Sequence, residues 1–100
     1  MSRKIVITPL AESEIRSARD WYEGQRKGLG RKFRSALKGH IQQIEAYPES
    51  FPVYFNGVRR LRMQNYPYYI YYRLTDEYIE IITVFHPSRD PEDLANALAD

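Results

Sequence analysis

Apolar residues recur along this chain with two different periods, and the change near residue 50 separates a helical half from a strand half. The first short run, "KIVI" at residues 4 to 7, is β-branched and reads as a strand. Thr8 followed by Pro9 then predicts a helix start, with the threonine as cap and the proline in the first helical position. Ala11, Ile15, Ala18 and Tyr22 fall on one helical face, and Glu12 and Glu14 sit near the positive helix end. Three glycines within "EGQRKGLG", residues 23 to 30, stop that helix. Leu29, Phe33, Leu37, Ile41 and Ile44 carry the same period into a second helix, which Pro48 closes. The two helices make an antiparallel hairpin.

Past residue 50 the period shortens to two. Asn56-Gly57 is a turn signal, and residues 58 to 63, 68 to 74 and 78 to 86 read as strands rich in Tyr, Ile and Val, with "LTDEYI" turning between the last two. These form a meander of three antiparallel strands, joined to the first strand and covered on one face by the helical hairpin. "DPEDLANALA", residues 90 to 99, predicts a short terminal helix. The expected fold is α+β in one domain over residues 1 to 100.

Composition narrows the chemistry. The chain is 43% hydrophobic and 28% charged, as in globular proteins. With no cysteine, disulfides and thiolate zinc sites are excluded, and the two histidines, His40 and His86, lie far apart. No metal and no cofactor are expected. The apolar run in "MSRKIVITPL" is too short for a signal peptide, and no stretch is long enough to span a bilayer. A cytoplasmic protein without a membrane partner is expected.

The net charge of +2 hides an asymmetry: residues 26 to 75 carry ten cations against Glu45 and Glu49, and residues 76 to 100 carry seven acids against Arg89. Either the two regions neutralise each other in the fold, or the basic one faces an anionic partner. Arg31, Arg34 and Lys38 align as a cationic stripe on the second helix, a solvated face or a binding one.

The densest chemistry lies in "VRRLRMQNYPYYIYYRL", residues 58 to 74. By alternation Arg60 and Arg62 share a face with Val58, and Arg59 shares the other with Leu61 and Met63. On the next strand Tyr69, Tyr71 and Arg73 take one face and Tyr68, Ile70, Tyr72 and Leu74 the other. Arginine stacks on phenol rings, and both residue types dominate binding hot spots. Arg59, Arg60, Arg62, Tyr69, Tyr71 and Arg73 are therefore the candidate surface for a macromolecular partner or target. The plain alternative is that the tyrosines fill the core with their hydroxyls at its rim.

The last strand ends in "VFHPSRDP", residues 84 to 91. His86 is suited to proton transfer at neutral pH, and Arg89 follows three residues later. A histidine among arginines has the parts to cleave a phosphodiester, with His86, Arg59 and Arg89 as the candidate catalytic set. The same residues equally serve to fix the strand end through carbonyls and Asp90.

Taken in order, the hairpin, "VRRLRMQNYPYYIYYRL" and "DEYIEIITVFHPSRDP" resemble the RelE/ParE superfamily of toxins from bacterial type II toxin-antitoxin systems, in particular its ParE-like branch of plasmid stabilisation proteins. The resemblance spans almost the whole chain. It implies a growth-inhibiting toxin neutralised by a cognate antitoxin encoded beside it, with DNA gyrase as target and no chemistry of its own. An alternative is a RelE-like endoribonuclease that cuts messenger RNA on the ribosome, in which His86, Arg59 and Arg89 act. A third is a relic that only binds antitoxin. Two departures matter: no lysine follows Lys38, so the lysine cluster of the RelE branch is missing, and "EDLANALAD" replaces the tryptophan or basic residues expected after "RDP".

Overall fold

The computed structural model describes residues 3–99; Met1, Ser2 and Asp100, the last of them one of the tail's acids, lie outside the described residues. The chain runs β1 (Lys4–Ile7), α1 (Pro9–Gln25), α2 (Leu29–Ala46), β2 (Val53–Phe55), β3 (Val58–Arg62), β4 (Tyr69–Leu74), β5 (Tyr78–Phe85) and α3 (Pro91–Leu98). The α+β arrangement expected from the two periods is present.

Local chemistry explains the helix boundaries. Thr8 Oγ1 accepts from the Ala11 amide at 3.1 Å and donates to the Ile82 carbonyl at 2.8 Å, so one hydroxyl caps α1 and pins it to β5. At the hairpin tip Gly28 has φ +93°, which suits glycine, and α2 begins without a capping side chain of its own. Glu23 of α1 supplies the missing acceptor, taking the amides of Gly28 and Gly30 at 3.0 to 3.1 Å. Those two backbone bonds, the largest cause, hold the Glu23 carboxyl below its ordinary value.

The five strands lie in the order β1-β5-β4-β3-β2. β3, β4 and β5 form the expected antiparallel meander, while β1 pairs with β5 in parallel, Lys4 opposite Tyr78. Strand β2 is an edge strand additional to the expected meander. It forms a hairpin with β3 across Asn56 and Gly57, both at positive φ (52° and 80°), which is the backbone of the tight turn that Asn-Gly favours.

Each face of the sheet has its own core. Ala11, Ile15 and Ala18 of α1 and Phe33, Leu37 and Ile44 of α2 pack on Met63, Ile70, Tyr72, Ile79, Ile81 and Val84. Burying each large aliphatic or Phe side chain contributes about 1.5–3 kcal/mol. On the other face α3, through Leu94 and Leu98, meets Val58, Tyr71, Ile82 and Phe85. Ile81 and Val84 thus face the helical hairpin although they are three apart, which strict alternation forbids. A bulge at this point, where Tyr71 lies opposite Thr83 and Tyr72 opposite Ile81, resets the parity. The backbone freed by the bulge is satisfied from α1: Thr8 takes the Ile82 carbonyl and Glu14 takes the Val84 amide at 2.9 Å.

Candidate functional site

Strand alternation delivers Arg60 and Arg62 to the α3 side of the sheet, beside Tyr69 and Tyr71 of β4. There the Arg60 guanidinium lies between two rings, 4.5 Å from the centroid of Tyr54 and 4.7 Å from that of Tyr69, and donates to the Tyr71 hydroxyl at 3.3 Å. Arg62 extends further out, 6.0 Å from the Tyr69 ring, exposed and without an ion-pair partner among the described residues. Each cation-ring contact contributes about 0.5–1 kcal/mol when exposed, enough to hold the guanidinium in place. The result is a preordered plate of cation and phenol on β2, β3 and β4, bordered by the exposed Val53 and Phe55. Burial pushes the Tyr71 hydroxyl up in pKa, and Arg60 opposes the rise.

Tyr54 was missing from the sequence-derived set because its strand was missing. The signal was present: an Asn-Gly hairpin turn needs a strand on both sides, and "VYF" precedes it as "VRR" follows it.

Arg59 and Arg73, counted with this surface from the sequence, do other things. Arg59 points to the helical side, opposite Tyr72, and its Nη1 donates to the carbonyls of Phe51 (2.6 Å) and Glu49 (3.1 Å). Tyr72, fully buried, donates to the Pro48 carbonyl at 2.7 Å, so the two side chains together hold the α2-β2 connection. Burial pushes the Tyr72 hydroxyl up to about 12. Arg73 pairs across the strands with Glu80 at 3.4 Å.

His86 and Arg89 line a groove of about 720 Å³ between α1 and the ends of β4 and β5, with Trp21, Tyr22 and Tyr68 on its walls. His86 Nδ1 accepts from the Ser88 amide at 3.0 Å, which places the proton of the neutral ring on Nε2, and the ring edge rests on Tyr68. The nitrogen that is free to face a ligand is therefore a hydrogen-bond donor. Arg89 is committed to Glu14, a carboxylate that also accepts from the Thr83 hydroxyl at 2.7 Å. Arg59 is remote from both: four residues along the strands and two strands across put its backbone about 16 Å from that of His86. The three residues proposed for phosphodiester cleavage are not one constellation. His40 is structural too, its Nε2 accepting from the Gln64 amide at 3.1 Å.

The charge asymmetry also resolves. Among the described residues, Arg73 is the one cation of residues 26 to 75 that pairs with an acid, Glu80. The acids of α3 lie behind the sheet and the cations of α2 in front of it, so among the described residues Arg73–Glu80 is the only ion pair between the two regions.

The family model described as "ParE toxin of type II toxin-antitoxin system, parDE" matches residues 5–91. Among solved structures, one titled "Chromosomal ParDE TA system from P. aeruginosa" aligns with a TM-score of 0.64 and 18% identity, over 85% of this chain and 96% of that one. At that identity the likeness is one of fold. No curated protein matches the sequence.

Proposed function

Since the chain belongs to the ParE toxin family of type II toxin-antitoxin systems, we propose that it arrests growth by binding DNA gyrase, acts in the cytoplasm, and is neutralised by a cognate antitoxin. The observation that carries this reading is the contrast between two sets of residues. Arg62 and Tyr54 are exposed, and the half-buried Arg60 and Tyr69, held by ring contacts and the Tyr71 hydroxyl, complete a preordered surface whose cations are not paired with acids among the described residues. Arg59 and Arg89 are spent on backbone carbonyls and on Glu14, and the free nitrogen of His86 is a donor rather than a base. Such an arrangement suits recognition of a protein better than phosphodiester cleavage.

An antitoxin segment that covers the Arg60 plate would carry acidic and aromatic or aliphatic side chains. Charge complementarity then speeds encounter, and ring burial supplies affinity.

The test is to add the purified protein to gyrase, supercoiled plasmid and ATP. Accumulation of linear DNA with loss of supercoiling activity, both reversed by the antitoxin, is expected. Unimpaired gyrase in the presence of folded, growth-inhibiting protein would sink the proposal and favour ribosome-dependent cleavage.

A further inference from the structure

The sheet has two edges, and they are guarded unequally. Strand β2 is three residues long, follows Pro52 and carries a bulge, all features that discourage further pairing. Strand β1, at the other end of the order β1-β5-β4-β3-β2, has neither bulge nor proline, and its one charge, Lys4, stands at its start. The Lys4 amide donates to the Glu77 carbonyl and the Thr8 amide to the Ile81 carbonyl, both at 3.1 Å, so alternate residues of β1 turn toward β5. The amides and carbonyls of Ile5 and Ile7 therefore point away from the sheet, and those two amides find no acceptor among the described residues.

The side chains of this edge are as incompletely covered as its backbone. Ile5 and Ile7, both half-buried, line a cleft of about 960 Å³ with Ile15, Leu37 and Ile41. On the other face of the strand Val6 is 39% exposed, and Tyr78, opposite Lys4 on β5, is exposed beside it. The rim of the cleft carries both signs, Arg31, Arg34 and Lys38 with Glu12, Asp20 and Glu45, so it selects neither an acidic nor a basic partner. What the edge does match is itself. In an antiparallel pair centred on Val6, Ile5 faces the partner's Ile7 and Ile7 the partner's Ile5, each pair exchanging both of its N–H···O bonds. Val6 then meets the partner's Val6 on the two-fold axis. Lys4 falls opposite the partner's Thr8, so no like charges are opposed.

We propose that β1 is a self-association edge: two copies of the chain pair antiparallel through Ile5, Val6 and Ile7 into a two-fold dimer, with one continuous sheet to which each copy gives its five strands. The two-fold axis stands perpendicular to that sheet, so both helical hairpins lie on one side and both Arg60 plates on the other. The plates stay uncovered because β2 and β3 are at the far edge of each copy. Seven strand spacings separate the two β3 strands, about 34 Å along the sheet. The dimer thus presents the plate twice on one face, a bivalent surface, and it does so whichever macromolecule the toxin attacks.

The experiment is sedimentation equilibrium of the full-length chain from about 5 to 500 μM, in which the mass should rise from 11.9 kDa toward twice that value. Val6→Cys supplies the geometric test, since the chain has no cysteine of its own. Facing residues of a non-hydrogen-bonded antiparallel pair have Cα atoms about 4.5 Å apart, within disulfide range. Val6→Cys should therefore cross-link to a dimer in air, and Lys4→Cys should not. Val6→Lys and Val6→Glu, taken singly, should each weaken association at least about 10-fold, and mixing the two should restore it, a rescue that requires residue 6 to face its own copy. Circular dichroism and thermal melting establish that each variant is folded; should a charged variant fail that check, the Val6→Cys cross-link decides alone. A monomer at every concentration, cross-linking of Val6→Cys no faster than of Lys4→Cys, or no rescue on mixing folded variants overturns the inference. So does protection of the Ile5 and Ile7 amides from hydrogen exchange that appears with the antitoxin and not with rising concentration, which would assign the edge to that partner. The gyrase assay above reads none of these quantities, so either result stands without the other.

Discussion

Arg89 reaches back to Glu14 across 75 residues of sequence, and the carboxylate it meets also holds the Thr83 hydroxyl and the Val84 amide. One side chain of α1 thereby secures both the bulge in β5 and the segment that leads to α3. The Glu14 side chain is only 10% exposed and that of Arg89 37%, so the pair is partly desolvated and worth more than a surface contact. Arg89→Ala is expected to lower stability by about 1–3 kcal/mol in urea unfolding, and Glu14→Ala by more, since two further donors lose their acceptor. A double-mutant cycle should give a coupling of about 0.5–3 kcal/mol. Additive losses would mean that the contact carries no stability.

Gly30 and Gly39 lie on the same helix and should respond oppositely to alanine. A Cβ at Gly30 would stand 2.8 Å from the Arg19 carbonyl oxygen of the neighbouring helix, whereas one at Gly39 meets nothing within 4 Å. Gly30→Ala is expected to cost about 1–3 kcal/mol by forcing the helices apart. Gly39→Ala should add about 0.5–1 kcal/mol through reduced backbone entropy. Melting temperatures of the two variants decide the point.

Tyr72 links stability to alkaline pH. Its folded pKa of about 12 lies above the unfolded value of 10.0, so the unfolded chain gives up the proton first. Its contribution is full below pH 10 and is lost as the pH rises toward 12. Tyr72→Phe should cost about 1 kcal/mol at pH 7 from the bond to Pro48 and should lose less stability than the parent between pH 10 and 12. Parallel curves for the two proteins would assign the alkaline loss elsewhere, with Tyr22, Tyr68 and Tyr71 also raised by burial.

Arg62 and His86 separate the two readings of the toxin. Arg62→Ala removes an exposed cation without a structural partner, so stability should stay within about 0.5 kcal/mol while growth inhibition in an induced culture falls. His86→Gln should leave growth inhibition intact. Loss of toxicity in folded His86→Gln, with Arg62→Ala fully active, would instead move the function to the groove beside α1.

The sequence by itself determined the elements other than β2, and their order, because these rest on local chemistry. Thr8-Pro9 starts a helix, Phe33, Leu37 and Ile44 mark one face of another, and alternation separates Tyr71 from Tyr72. The same alternation placed Arg59 on the face opposite Arg60 and Arg62. Only the tertiary structure decided what those arginines are for. Whether a guanidinium stacks on Tyr54, seizes the carbonyls of Glu49 and Phe51, or pairs with Glu14 depends on groups from distant segments that folding brings within 5 Å. The bulge in β5 has the same origin: a one-residue slip that exchanges faces for Val84 and Phe85 is stable because Thr8 and Glu14 satisfy the backbone it frees. Periodicity reports which side of its own element a residue occupies, and partners across the fold assign its work.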